Sequence, residues 1–129
     1  MKTILVDAIN GLVEEDGTLF EEMFDLLQTY PHQKIVLTGA NDEQFKQFRL
    51  DQVPYPVFTL KHNPEKSDPH YYELLMEKFA LSSADLIYFE HNQEAVTSAR
   101  SVGISTYFYD HTKRDIASLK QFIDDNLST

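Results

Sequence analysis

The chain has 129 residues, is 42% hydrophobic and carries 9 Phe and 7 Tyr, enough for one domain, 1–129, to bury a core of its own. Its net charge of −10 argues against nucleic acid and anionic membranes as partners, although a site can still be locally positive. The absence of cysteine excludes disulfides, thiol catalysis and cysteine-held metals, and the apolar run Thr3 to Val6 is too short for a signal peptide or a membrane span; a cytoplasmic protein is expected.

In chain order, Thr3–Val6 reads as a first strand, ending in Asp7. In "GLVEEDGTL" the Glu15-Asp16-Gly17 stretch predicts a hairpin turn. Leu19, Phe20, Met23, Phe24, Leu27 and Tyr30 then recur at helical spacing. Lys34–Thr38 is a second strand. The helix after it has only Phe45 and Phe48 as anchors, but Asn41 with Gln44 forms a capping-box pattern. Val57–Leu60 is a third strand, and a polar loop holding Lys66 follows. Asp68-Pro69 opens a helix marked by Tyr71, Tyr72, Leu75 and Phe79. Asp85–Phe89 is a fourth strand, followed by Glu90 and His91. Asn92 caps a helix through Ala95, Ala99 and Val102, which Gly103 stops. Ile104–Tyr109 is a fifth strand. Thr112, three before Asp115, marks the start of a last helix with Ile116, Leu119, Ile123 and Leu127. Near-continuous apolar strands alternating with helices predict an α/β protein, a three-layer α/β/α sandwich on a five-stranded, mainly parallel sheet.

Ligands of such sheets bind beyond the carboxyl ends of the strands. Asp7, Thr38 and Glu90 occupy those ends, and Lys66 lies in the loop after the third strand. Together they suit a phosphoryl group. Asp7 can attack phosphorus, Thr38 and backbone N–H groups can bind phosphate oxygens, Lys66 can neutralise charge and a second carboxylate can hold Mg²⁺. Each also has an ordinary reading: a turn cap for Asp7, a turn hydroxyl for Thr38, a solvated loop lysine for Lys66, a helix-start charge for Glu90 and a surface position for His91.

The text "ILVDAINGLV" resembles the opening motif of the haloacid dehalogenase (HAD) superfamily, an apolar strand followed by Asp-x-Asp-Gly-Thr-Leu-Val. The match sets Asp7 on the nucleophile and Ile9 on the second Asp. "KIVLTG" resembles the second motif, with Thr38 on its phosphate-binding hydroxyl. "KSDPHYYELLMEKFAL" resembles the third, with Lys66 on its lysine. "DLIYFEHNQEAVTSARSVGI" resembles the fourth, with Glu90 and His91 where acidic pairs are common. The resemblance implies a Rossmannoid HAD-like core without a cap domain, a two-strand flap after the first strand, a nucleophilic aspartate, and Mg²⁺ held by Asp7, the backbone carbonyl of Ile9, and Glu90.

Two residues depart from that pattern. Isoleucine at 9 can neither protonate a leaving group nor activate water, and loss of such help typically costs about 10²–10⁴-fold. Glu90 is a methylene longer than aspartate. The expectation is a weak Mg²⁺-dependent phosphatase with impaired acid–base catalysis, or else an inactive module that binds a phosphorylated ligand or a protein partner over an open site. A phospho-accepting receiver domain is excluded, because its third strand should end in Asp where this chain has "TLKHN".

Overall fold

The computed structural model describes residues 1–127. β1 (Thr3–Asp7), α1 (Glu21–Gln28), β2 (Lys34–Thr38), α2 (Asp42–Gln47), β3 (Val57–Thr59), α3 (Pro69–Phe79), β4 (Leu86–Glu90), α4 (Gln93–Ser101), β5 (Ser105–Phe108) and α5 (Ile116–Leu127) follow one another along the chain. The sheet runs β3-β2-β1-β4-β5, and every neighbouring pair is parallel. β1 is central and buried at every position. A strand covered on both faces must be apolar on both, which is why its sequence does not alternate.

Successive side chains nevertheless divide between two layers. Ile4 and Val6 pack with Met23 and Leu27 of α1 and with Leu119 and Ile123 of α5. Leu5 packs on the opposite face with Tyr71, Tyr72 and Leu75 of α3 and Ala99 of α4. The three-layer arrangement follows from these two cores on one sheet.

Local signals set most of the helix ends. Asn41 and Gln44 form both halves of a capping box on α2. Asp68 accepts from the His70 amide ahead of Pro69, and Asn92 accepts from the amides of Glu94 and Ala95. Gly103, at φ +90, ends the turn after α4.

Some boundaries differ from the sequence reading. β4 runs one residue later than Asp85–Phe89, because Asp85 sits in a short 3-10 turn where it accepts from Ser82 Oγ at 2.9 Å. That shift places Glu90 inside the strand. β5 is shorter than Ile104–Tyr109, whose end residues are buried flanks. Thr112 does not cap α5: its amide and hydroxyl both donate to Asp110, while Asp115 accepts from the Ser118 amide at 3.0 Å and caps the helix. The two-strand flap reduces to single bridges, Ile9 with Val13 and Val13 with Leu19. Its turn forms as predicted, with Gly17 at φ +86. No helix among the described residues is long and apolar enough to cross a membrane.

Candidate functional site

Parallel register sets Asp7 beside Leu37 of β2 and Val6 beside Phe89 of β4. Asp7, Thr38 and Glu90 are each the last residue of adjacent strands, so all three emerge at one rim. The chain leaves β1 by turning tightly on itself, with the Leu12 amide donating to the Asp7 carbonyl at 3.0 Å. Gly11 lies so close that a Cβ there would sit 2.3 Å from that carbonyl oxygen. The position admits no side chain.

Lys66 enters from the loop between β3 and α3 and joins the two acids. Its Nζ donates to Asp7 Oδ1 at 2.8 Å and to Glu90 Oε1 at 2.6 Å. His91 closes the group from the other side. Its backbone amide donates to Asp7 Oδ2 at 3.0 Å, its ring Nδ1 bonds the same oxygen, and Nδ1 lies 3.3 Å from Glu90 Oε2. Tyr88 donates its hydroxyl to Glu90 Oε1, and the Asn92 amide donates to Oε2 at 3.0 Å. Asp7 is 1% exposed and Glu90 0%, so two carboxylates are held out of water against one ammonium and one imidazole.

The electrostatics follow from that enclosure. Burial and the charge of Glu90 push Asp7 above the usual carboxylate range, against the pull of Lys66 and His91. Burial also penalises the Glu90 carboxylate, but Lys66 and its hydrogen bonds hold it well below its ordinary value. Burial works against charge on His91 as well; its hydrogen bonds to Asp7 and Glu90 outweigh this and push it up to about 10. Lys66 likewise stays protonated beyond its usual range, its desolvation offset by the two carboxylates. Burial thus works against charge on Asp7, while Glu90 is held ionised and Lys66 and His91 are held protonated.

The ordinary readings divide. Asp7 caps no local turn, since its side-chain partners lie 59 and 84 positions away. Lys66 is not a solvated loop lysine. Thr38 does bond its own turn, accepting from the Ala40 amide at 3.1 Å, although it also lines the cleft. His91, read as a surface position, belongs to the cluster. Tyr88 was missed because it reads as core. Tyr71 was missed too: its hydroxyl donates to the carbonyls of Thr38 at 2.8 Å and Phe58 at 3.1 Å and so steadies the end of β2.

The cluster forms the floor of a cleft of about 340 Å³, whose walls include Ile9, Thr38, Gly39 and Phe48. His62 roofs part of it. Its ring lies against Gly39, where a Cβ would be 3.3 Å from Nδ1, and it bonds Gln44 and Glu65 on either side.

Mg²⁺ requires near-octahedral oxygen ligands. Both oxygens of Asp7 and both of Glu90 already accept hydrogen bonds, from Lys66, His91, Tyr88 and Asn92. An oxygen of each acid and a nitrogen of His91 do lie within 4.8 Å of one another, yet an ion among them would need the ring to surrender its proton and both hydrogen-bonded carboxylates to turn. The residues as arranged do not fit Mg²⁺.

No protein-family model and no curated protein matches this chain. Solved structures do. A HAD family enzyme from Bacteroides thetaiotaomicron, an Asp-to-Ala variant in complex with magnesium and inorganic phosphate, superposes with a TM-score of 0.68 at 12% identity over 84% of this chain and 93% of that one. A HAD-superfamily hydrolase from Geobacter sulfurreducens gives 0.67 at 13% over 92% and 99%. L-2-haloacid dehalogenase from Xanthobacter autotrophicus gives 0.57 at 17% over 83% of this chain and 50% of that one, so this chain spans about half its length. At such identities the likeness establishes a HAD-like fold and leaves the chemistry to the residues in the cleft.

Proposed function

From the HAD fold and the cleft at its carboxyl rim, we propose that this chain is a slow phosphohydrolase acting through an aspartyl-phosphate at Asp7. The observation that carries the reading is the meeting of Asp7, Lys66 and Thr38, from distant parts of the chain, around one cleft. An Asp7 oxygen bonds to phosphorus as the bond to the leaving group breaks, and the leaving group takes the electron pair. Water then attacks phosphorus, the bond to Asp7 breaks, the carboxylate is restored and the water's proton leaves with inorganic phosphate. Lys66 offsets the charge that develops on the phosphoryl oxygens, and Thr38 with the backbone after it borders them.

Ile9 lines the cleft and offers no proton to a leaving group. Substrates are therefore phosphates with good leaving groups, aryl or acyl phosphates, which depart without protonation. Asp7 must also release a hydrogen bond from Lys66 or His91 before it attacks, which slows turnover further. Within the described residues, selectivity rests on the rim of the cleft itself. Magnesium and phosphate belong to the Bacteroides structure; only the phosphoryl site is carried over to this chain.

Ile9 and the full engagement of the Asp7 oxygens favour a second reading, a module that holds a phosphorylated ligand or a protein partner without turnover. Hydrolysis of p-nitrophenyl phosphate by the wild type and by Asp7→Asn separates the two. Slow turnover that drops at least about 100-fold in the variant is expected, because the covalent route is gone. Equal rates refute the hydrolase, and binding of inorganic phosphate without turnover leaves the second reading standing.

A further inference from the structure

We propose that His91 supplies the positive charge that links Asp7 to Glu90, so that this cleft takes a phosphoryl group without a divalent cation. The inference deepens the phosphoryl reading and rests on it for the ligand, but its basis is the geometry of the cluster. The ring Nδ1 stands between the two acids, bonded to Asp7 Oδ2 and 3.3 Å from Glu90 Oε2. The opposite oxygens are taken by Lys66, at 2.8 and 2.6 Å. Lys66, His91, Tyr88 and the Asn92 amide already engage all four carboxylate oxygens, so a dication added to that set would have to displace these donors.

The chain around His91 holds it in place. Its own amide donates to Asp7 at 3.0 Å. Asn92, next along the chain, donates to Glu90 and caps α4. The ring of His111 meets that of His91 edge-on, with centroids 4.9 Å apart. Glu90 contributes through its length, since one carboxylate reaches Lys66, Tyr88 and the Asn92 amide together. Glu90, one of the departures from the sequence pattern, and His91, which stands where a second acid is common, thus belong to one device: the longer acid and the adjacent imidazole bond within the chain where an acidic pair would leave room for a metal.

Thermal unfolding with MgCl₂ or EDTA tests this without reliance on turnover. The wild-type Tm should be the same in both to within about 1 °C. In His91→Asp, which restores a third carboxylate, the Tm should fall in EDTA and rise by about 5 °C or more with saturating Mg²⁺. His91→Asn, which removes the cation at similar size, should gain a smaller Mg²⁺ response and serves if the aspartate variant does not fold. p-Nitrophenyl phosphate hydrolysis by the wild type should be equal in EDTA and in MgCl₂. A Tm rise with Mg²⁺ in the wild type, or hydrolysis that requires Mg²⁺, overturns the inference while leaving the phosphohydrolase intact. Absence of hydrolysis in every condition removes the phosphohydrolase, and the melting curves still decide the role of His91.

Discussion

Replacing Lys66 with methionine is expected to destabilise the fold by about 3–5 kcal/mol at pH 7, the range found when one partner of a buried ion group is removed. Lys66 Nζ bonds both Asp7 and Glu90, at 2.8 and 2.6 Å. Methionine keeps much of the stem's volume and loses the charge, so packing changes little. What remains is two buried carboxylates facing one imidazole. One of them then protonates, at the cost of its hydrogen bonds to the charged form. The loss should therefore shrink as pH falls and both acids protonate in the unfolded chain as well. Urea unfolding of both proteins at pH 7 and near pH 4 checks this. A change below about 1 kcal/mol at pH 7 would mean that Lys66 behaves as an exposed loop residue.

The other large effect concerns catalysis. Ile9→Asp is expected to raise the rate on alkyl phosphates by about 10²-fold or more, within the usual 10²–10⁴-fold range of general acid–base help. Residue 9 already borders the cleft. Its backbone is fixed by the bridge to Val13, and the Asn10 amide donates to the Val13 carbonyl at 2.8 Å. A shorter side chain can enter without moving the turn. The gain should be far smaller on p-nitrophenyl phosphate, whose leaving group needs no proton. The ratio of kcat/KM for ethyl phosphate to that for p-nitrophenyl phosphate is the informative quantity. An equal gain on both substrates would show that the new carboxylate acts by some route other than proton donation.

The frame of this molecule is written locally, and the cluster is not. Apolar runs such as Thr3–Val6 and caps such as Asn41, Asp68 and Asn92 declare their elements from a few residues each, so the alternation and the three layers can be read directly. The strand ends Asp7, Thr38 and Glu90 follow from that frame, because a parallel sheet must gather them at one rim. The role of His91 depends on an acid 84 positions away, and no periodicity links the two. Adjacency to Glu90, within the stretch that resembles the fourth motif, was the available signal. Tyr88 hides for a related reason: an aromatic in a buried strand reads as core, and only its hydroxyl, aimed at Glu90, gives it a second task. Thr112 misled because Asp110 competes for its hydroxyl and amide, which leaves Asp115 to start α5.

Near neutral pH, Asp7 and Glu90 are held by the chain's own cations, and an NMR titration of the His91 ring, assigned with His91→Asn, tests this most directly. The ring is pushed up to about 10 from an ordinary 6.5, so it should keep its proton to about pH 9. Because the folded value is the higher one, the stability it contributes is full below pH 6.5 and disappears as pH rises through about 10, a loss of a few kcal/mol at about 1.4 per unit. A ring that instead loses its proton near pH 6.5, with no decline in stability above it, would contradict a self-neutralised cluster.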